Sequence, residues 1–318
     1  MLKIRKFDFS ERDYEDFIKI NDAIWPDQKE TVEQLKFADK IRDKKSEHQR
    51  FIVEFDNLVV AKMTVSKAIY TTTKGKYYFN IEVLPEFQRQ GIGTKLYEKM
   101  LAIVMPKNLQ KLSTYSREDK KNGIAFFEKN GFKMVLRDPV SELDLMKFDF
   151  SKFQKDIDFV EQQNIKLIPL SEIMKTDENW QQKLYQLDIQ IEADMPTTDP
   201  FKAPPFEKWK KSHLENPQFY PKGCIIAVDN GEFVGLSMLA KVLSDKTKME
   251  VWSTGVLRTH RRRKIATALK VLAQRKAIGY GAKTIITDNE ENNPMYQINI
   301  KLGFEPKPAW LSFEKTNL

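Results

Sequence analysis

Cysteine is almost absent from the 318-residue chain, which holds only Cys224. One thiol excludes an internal disulfide framework and any thiolate metal cluster. Histidine is nearly as scarce: His48, His213 and His260 lie far apart and share no ligand spacing. Zinc chemistry and a histidine-based triad therefore have little to build on, and no metal is expected. Apolar runs extend only a few residues, too short for a membrane-spanning helix. The opening MLKIRKFDFSERDYED turns to charge at once. It lacks the apolar centre of a signal peptide, so the cytoplasm is the expected compartment. Long blocks of one charge sign are missing too; the densest cluster is RTHRRRK at 258–264.

What is present is core-forming material. Hydrophobic residues make up 41% of the chain and phenylalanine occurs 21 times, which excludes intrinsic disorder and collagen-like or low-complexity classes. The length suits two domains of about 150 residues each. The net charge of +8 is compatible with nucleic acid, an anionic membrane or an anionic small molecule as partner.

The chain repeats itself. VLPEFQRQGIG at 83–93 matches VLRTHRRRKIA at 256–266 without a gap, and an amphipathic helical pattern follows each. Upstream, FIVEFDNLVVAKMT (51–64) aligns with CIIAVDNGEFVGL (224–236), each read as strand, Asp-Asn turn and strand. Downstream, FFEKNGF (126–132) parallels INIKLGF (298–304), each a helix stopped by glycine and followed by a strand. LKIRKF (2–7) and IKLIPL (165–170) open the halves as strands, and FIKINDAIWP (17–26) and YQLDIQIEADMP (185–196) follow as helices halted at proline. Each half reads β–α–α–β–β–β–α–β–α–β. The expected class is α/β with a mixed sheet, as two domains at 1–150 and 165–318 joined by a helix at 151–164.

The informative feature is the junction between strand and helix. Gln88-x-x-Gly91-x-Gly93 follows a strand and opens a helix. Consecutive backbone N–H groups at a helix start, helped by the helix dipole, form an anion site. The glycine spacing is not that of a dinucleotide-binding βαβ unit, and no Gly-Lys-Ser/Thr of a P-loop follows.

These residues resemble the GNAT superfamily of N-acetyltransferases, whose Gln/Arg-x-x-Gly-x-Gly/Ala turn holds the pyrophosphate of acetyl-CoA. FFEKNGF is similar to that family's last helix. The resemblance covers nearly the whole chain as two tandem units. In the second, TGV, RRRKIATALK and TDNEENNPMYQINIKLGF resemble the mycothiol-synthase-like branch. The resemblance implies acetyl-CoA as co-substrate, contacted in the first unit by Gln88, Arg89, Gln90, Gly91, Ile92, Gly93 and Thr94, with Val83 on the pantetheine arm. In the second unit it implies Arg261, Arg262, Arg263, Lys264, Ile265, Ala266 and Thr267, with Val256 and Asn292. Lys264 replaces a glycine, which the turn tolerates if the backbone there needs no positive φ. A solvated basic helix start would look the same; phosphate binding is preferred because the equivalent segment of the first half matches the same turn.

For catalysis the resemblance implies a carboxylate that takes the proton of the acceptor ammonium. Glu250 lies at the base spacing, eleven residues before Arg261, where the first unit has Tyr77; the first unit offers Glu82 instead. The family's tyrosine position is Phe127 in one unit and Asn299 in the other. Asn299 can hydrogen-bond a ligand, and Tyr296, a turn earlier, is a candidate proton donor. Either glutamate would equally suit a solvent-facing strand position. For the acceptor, the loop after the first helices offers Glu192 and Asp194 in the second unit and Asp22 and Trp25 in the first, suited to a cationic amine. Ordinary caps and turns would use the same residues.

The expected activity is acetyl transfer to a small amine by direct attack in a ternary complex, with the second unit as the catalyst. The alternatives are a CoA-binding protein in which one or both units do not turn over, and a basic nucleic-acid-binding protein. The last is disfavoured because no aromatic residue interleaves with RTHRRRK.

Overall fold

The computed structural model describes residues 2–316. The first half runs β1 (Leu2–Lys6), α1 (Glu11–Ile24), α2 (Val32–Ile41), β2 (Gln49–Phe55), β3 (Leu58–Lys67), β4 (Lys76–Val83), α3 (Ile92–Val104), β5 (Lys111–Arg117), α4 (Lys121–Lys129) and β6 (Lys133–Asp144). Then come α5 (Gln154–Glu161), β7 (Lys166–Pro169), α6 (Leu170–Ile173), α7 (Trp180–Glu192), α8 (Phe206–His213), β8 (Phe219–Asp229), β9 (Glu232–Lys241), β10 (Lys248–Val256), α9 (Ile265–Tyr280), β11 (Thr284–Asp288), α10 (Pro294–Lys301) and β12 (Glu305–Lys315). Apart from the short α6, both halves follow the order expected from the repeat.

The chain divides into two compact units, and not as two continuous halves. Unit 1 contains residues up to 136 together with 198–200 and 311 onward; unit 2 contains 137–197 and 201–310. The sheet of unit 1 runs β1-β2-β3-β4-β5 and ends on the C-terminal part of β12. That of unit 2 runs β7-β8-β9-β10-β11 and ends on β6, where Val140 to Asp144 pair antiparallel with β11. Each sheet thus takes its last strand from the other half of the sequence. The expected boundary near 150 therefore fails, because a repeat gives the order of strands and not the sheet that each one joins. The segment at 151–164 is helical as α5, and its Ile157 and Val160 are buried in the core of unit 2.

Local chemistry explains the elements. Ser10 caps α1 and Thr31 closes a capping box with Gln34 on α2. Hairpin β2–β3 turns on Asp56-Asn57, both at positive φ, the pattern of a two-residue primed turn. In β8–β9 the turn falls on Asn230-Gly231, one residue later than the Asp-Asn reading, because Asp229 pairs with Glu232 and glycine fits positive φ better. Gly131 and Gly303 end α4 and α10 with one geometry: Phe132 N–H donates to Phe127 O and Phe304 N–H to Asn299 O, both at 3.0 Å.

Unit 1 buries Phe51, Tyr77, Phe79, Leu96, Met100, Phe127, Phe132 and Phe313 between its sheet and helices α3 and α4. Its 198–200 segment brings Asp199 into a buried charge cluster with Lys76, Lys111 and Glu314, where Lys111 Nζ lies 3.2 Å from Asp199 and 3.0 Å from Glu314. Unit 2 packs α9 on its sheet through Ile265, Ala268, Leu269, Ala273 and Ala277.

Candidate active site

In both units the parallel ladder behind the turn stops early. β4 pairs with β5 only from Lys76 to Tyr78, although it continues to Val83, and β10 pairs with β11 only from Lys248 to Glu250. The ends of β4 and β10 therefore keep backbone groups free on that edge. The chain then turns the same way twice. Gln88 and Arg261 are extended (φ −70, ψ 163 and φ −67, ψ 161). Arg89 and Arg262 are left-handed (φ 61 and 63), and so are Gly91 (φ 82) and Lys264 (φ 64) before their helices. Gln88 Nε2 donates to Val83 O at 3.0 Å, and Arg261 Nε donates to Val256 O at 3.1 Å. One side chain thus braces each turn against the preceding strand. The condition attached to Lys264 is not met: the position does require positive φ, and lysine adopts it at a strain of about 1–2 kcal/mol.

The two units differ in what surrounds the turn. In unit 1 a cavity of about 340 Å³ lies over it, lined by Val83, Gln88, Arg89, Gly91, Gly93 and Thr94, with Phe126 and Phe127 of α4 opposite. Among the described residues Arg89 has no ion-pair partner. Gln90 turns away to donate to Glu86 O, and Ile92, 3% exposed, anchors the helix in the core. A second cavity of about 360 Å³ shares Ile81, Val83, Gln88, Asn122, Gly123 and Phe127 with the first and reaches Trp25, Glu82 and Tyr115. Trp25 Nε1 donates to Glu82 Oε1 at 3.0 Å, and Lys62 Nζ lies 2.8 Å from Glu82 Oε2. Asp22 lies on α1 outside both linings, with its Oδ1 buried and without a hydrogen-bond partner. Four residues named from the sequence, Trp25, Glu82, Val83 and Gln88, meet in one cleft.

In unit 2 the basic side chains of the turn other than Arg262 are held by the chain itself. Arg258 and Arg261 both bind Asp194, with Arg258 Nε at 2.9 Å from Oδ1. Arg263 Nε donates to Gln163 Oε1 at 2.7 Å, and Lys264 lies 3.5 Å from Asp156. Asp194 is therefore committed to arginines, not open to a cationic amine as the sequence suggested. Ile265 and Thr267 are buried, Ala266 is half-buried and Arg262 is exposed. The position equivalent to Glu82 is Gly255, and a Cβ there would meet Ile191 Cγ2 at 2.3 Å. Ile191 of α7 thus packs directly on the backbone at the position where unit 1 carries the Glu82 side chain.

The remaining expected residues of unit 2 do not converge. Glu250 sits six residues before Val256, about 20 Å along the strand. Its Oε1 accepts from Gln218 Nε2 at 2.9 Å and Trp252 Nε1 at 2.8 Å. Burial raises its pKa, and those two hydrogen bonds oppose the shift. Asn299 is 0% exposed and donates to Asn289 Oδ1, so its amide is turned inward. Asn292 closes on Glu290 at 2.8 Å. Tyr296 is half-buried on α10. Glu192 at the end of α7 is pushed up to about 7 by burial and by Asp188.

Sequence reasoning missed Asn80, Tyr115 and Asp119 in the cleft lining and Lys62 behind Glu82. Lys62 carried a signal, a lone lysine inside the apolar strand LVVAKMTV. Tyr115 carried none, since which face of β5 borders a cavity depends on where pairing with β4 stops.

The acetyltransferase (GNAT) family description matches residues 14–132 and 183–304, one match over each copy of the repeat. The chain belongs to the GNAT acetyltransferase family. Members of this family act on acyl-CoA. The fold is similar to that of a tandem GNAT protein from the clavulanic acid biosynthesis pathway, at 15% identity and TM-score 0.76, covering 99% of this chain and 98% of that one. It is also similar to a GCN5-related N-acetyltransferase from Sphaerobacter thermophilus, at 16% identity and TM-score 0.70, covering 99% and 95%. An N-myristoyltransferase from Saccharomyces cerevisiae is alike in fold at 11% identity and TM-score 0.60, covering 99% and 78%. No curated protein matches the sequence. Among the described residues, no helix is long and apolar enough to cross a membrane.

Proposed function

We propose that unit 1 binds acetyl-CoA across the turn at 88–94 and transfers the acetyl group to a small amine held in the adjoining cavity. The observation that carries this is the pair of joined cavities, one over the turn and one containing Glu82. The turn's backbone N–H groups and Arg89 would hold the diphosphate. The edge of β4 at Val83, beyond the end of its pairing with β5, would receive the pantetheine arm. Free alkyl amines have pKa values near 10.4, so the acceptor arrives as an ammonium and must lose a proton before it attacks. Glu82 takes that proton through Oε1. Tyr115, across the cleft, donates to the leaving sulfur.

Unit 2 then has a supporting role. The carboxylates of Asp194 and Asp156 already compensate Arg258, Arg261 and Lys264 of its turn, and Ile191 packs on Gly255, where unit 1 has Glu82. On this reading the chemistry lies in the opposite unit from the one favoured by the Glu250 spacing. Calorimetric titration with acetyl-CoA tests the choice. We expect one site per chain, lost in Arg89→Glu and kept in Lys264→Glu. Binding that survives Arg89→Glu and disappears in Lys264→Glu would overturn it.

A further inference from the structure

Beside the proposed base lies a buried charge. Lys62 of β3 is 7% exposed, and its Nζ is 2.8 Å from Glu82 Oε2. The same ammonium donates to Asn21 Oδ1 at 3.2 Å and lies 4.2 Å from the centroid of the Phe17 ring. Glu82 Oε2 is fully buried on that side. Oε1 accepts from Trp25 Nε1, and Glu82 and Trp25 both line the cavity. A carboxylate fixed against a permanent ammonium is a weak base, whereas one beside a neutral amine is a stronger one.

We infer that Lys62 is a positioning residue for acetyl transfer: it aims Glu82 from behind, and its proton decides how strongly Oε1 draws a proton from the acceptor. The inference rests on the reading of Glu82 as base. Asp22 of α1 and Glu30, between α1 and α2, favour the charge on Lys62; Arg50 of β2 opposes it. Asp119, Lys120, Lys121 and Tyr115 border the cavity that Glu82 faces. Burial, the largest influence, pushes the Lys62 ammonium down to about 7. In the step itself the acceptor ammonium gives one proton to the Glu82–Lys62 pair. The freed lone pair forms the C–N bond at the thioester carbonyl, the C–S bond breaks, Tyr115 protonates the leaving sulfur to give the CoA thiol, and the second amine proton restores Tyr115.

Two measurements test this. The first is the titration of Lys62 Nζ by ¹⁵N NMR, assigned by its loss in Lys62→Met, in wild type and Glu82→Gln. The midpoint is expected within about one unit of 7 in the wild type and lower by at least half a unit in Glu82→Gln, because removing the carboxylate disfavours the ammonium. An unmoved midpoint would overturn the coupling. The second is CoA release from acetyl-CoA with a pool of amino acids, polyamines and aminosugars, followed against pH. Lys62→Met should displace the rising limb by more than half a unit with the KM for acetyl-CoA unchanged. A purely structural role would lower the rate equally at all pH values, and that outcome refutes the inference while leaving Glu82 as base. If Glu82→Gln retains the wild-type rate, the reading of Glu82 falls, and Lys62 with it, whatever NMR finds.

Discussion

Gly91 and Lys264 occupy one left-handed position in two copies of one turn, at φ 82, ψ −3 and φ 64, ψ 0. Exchanging their chemistry should have unequal effects. An ideal Cβ at Gly91 meets no atom within 4 Å, so Gly91→Ala creates no clash and its cost is purely conformational. The left-handed region costs an L-residue about 1–2 kcal/mol. Alanine returns up to about 1 kcal/mol by narrowing the unfolded ensemble. The expected net loss is about 1 kcal/mol, or roughly 2–4 °C in Tm for a unit of this size. Lys264→Gly relieves the same strain and incurs the same entropic cost. It also loses an ion pair at 3.5 Å whose lysine is 45% exposed, a contact worth at most about 1 kcal/mol. Its Tm should stay unchanged or rise by up to about 2 °C. Thermal unfolding of both variants by calorimetry measures the contrast. A Gly91→Ala protein as stable as wild type, or a Lys264→Gly protein destabilised by more than about 1 kcal/mol, would refute the strain argument.

Three further outcomes follow from the same geometry. Glu82→Gln should cut CoA release with the amine pool at least a hundredfold and leave acetyl-CoA affinity within twofold, whereas Glu250→Gln should leave both unchanged; a null effect of Glu82→Gln assigns the base elsewhere. Asp199→Asn leaves Lys76 and Lys111 facing Glu314 alone and should destabilise the protein by about 3 kcal/mol, read by denaturant titration, with a loss under about 1 kcal/mol counting against a cooperative cluster. For Asp199, burial opposes the charge, but hydrogen bonds from Lys76, Thr73 and Lys111 win and hold it at about 2. Its contribution is thus present above the unfolded value near 3.8 and lost as pH falls through 2, so Asp199→Asn should flatten the acid limb of the stability curve there. His48, held down to about 3 by burial and by Arg42 and Arg50, loses its contribution from about pH 6.5 downward. His48→Gln should therefore flatten stability between pH 6.5 and about 3, and an unchanged slope would show that His48 titrates normally.

The sequence by itself determined the repeat, the element order, the family and the turn. Those features are local: glycine or lysine at a fixed offset from a strand, a helix ended by Gly131 or Gly303, a hairpin turned by Asp56-Asn57. Local backbone preferences act over a few residues, so they leave a readable pattern. The resemblance also nominated Glu82 and Trp25, although they are 57 residues apart and were placed in different roles. Only the tertiary structure brings Trp25, Glu82, Val83 and Gln88 into one cleft. Asp194 and Arg258 are 64 residues apart, and Asp156 and Lys264 more than a hundred, so nothing in the spacing shows that the second turn is compensated from within. The contact at Gly255 is made by Ile191, a residue that looks like any other on an apolar helix face. The exchange of the last strands was equally hidden. Strand pattern fixes which face is buried, whereas the choice of neighbouring edge is made by long-range hydrogen bonding that the linear order does not record.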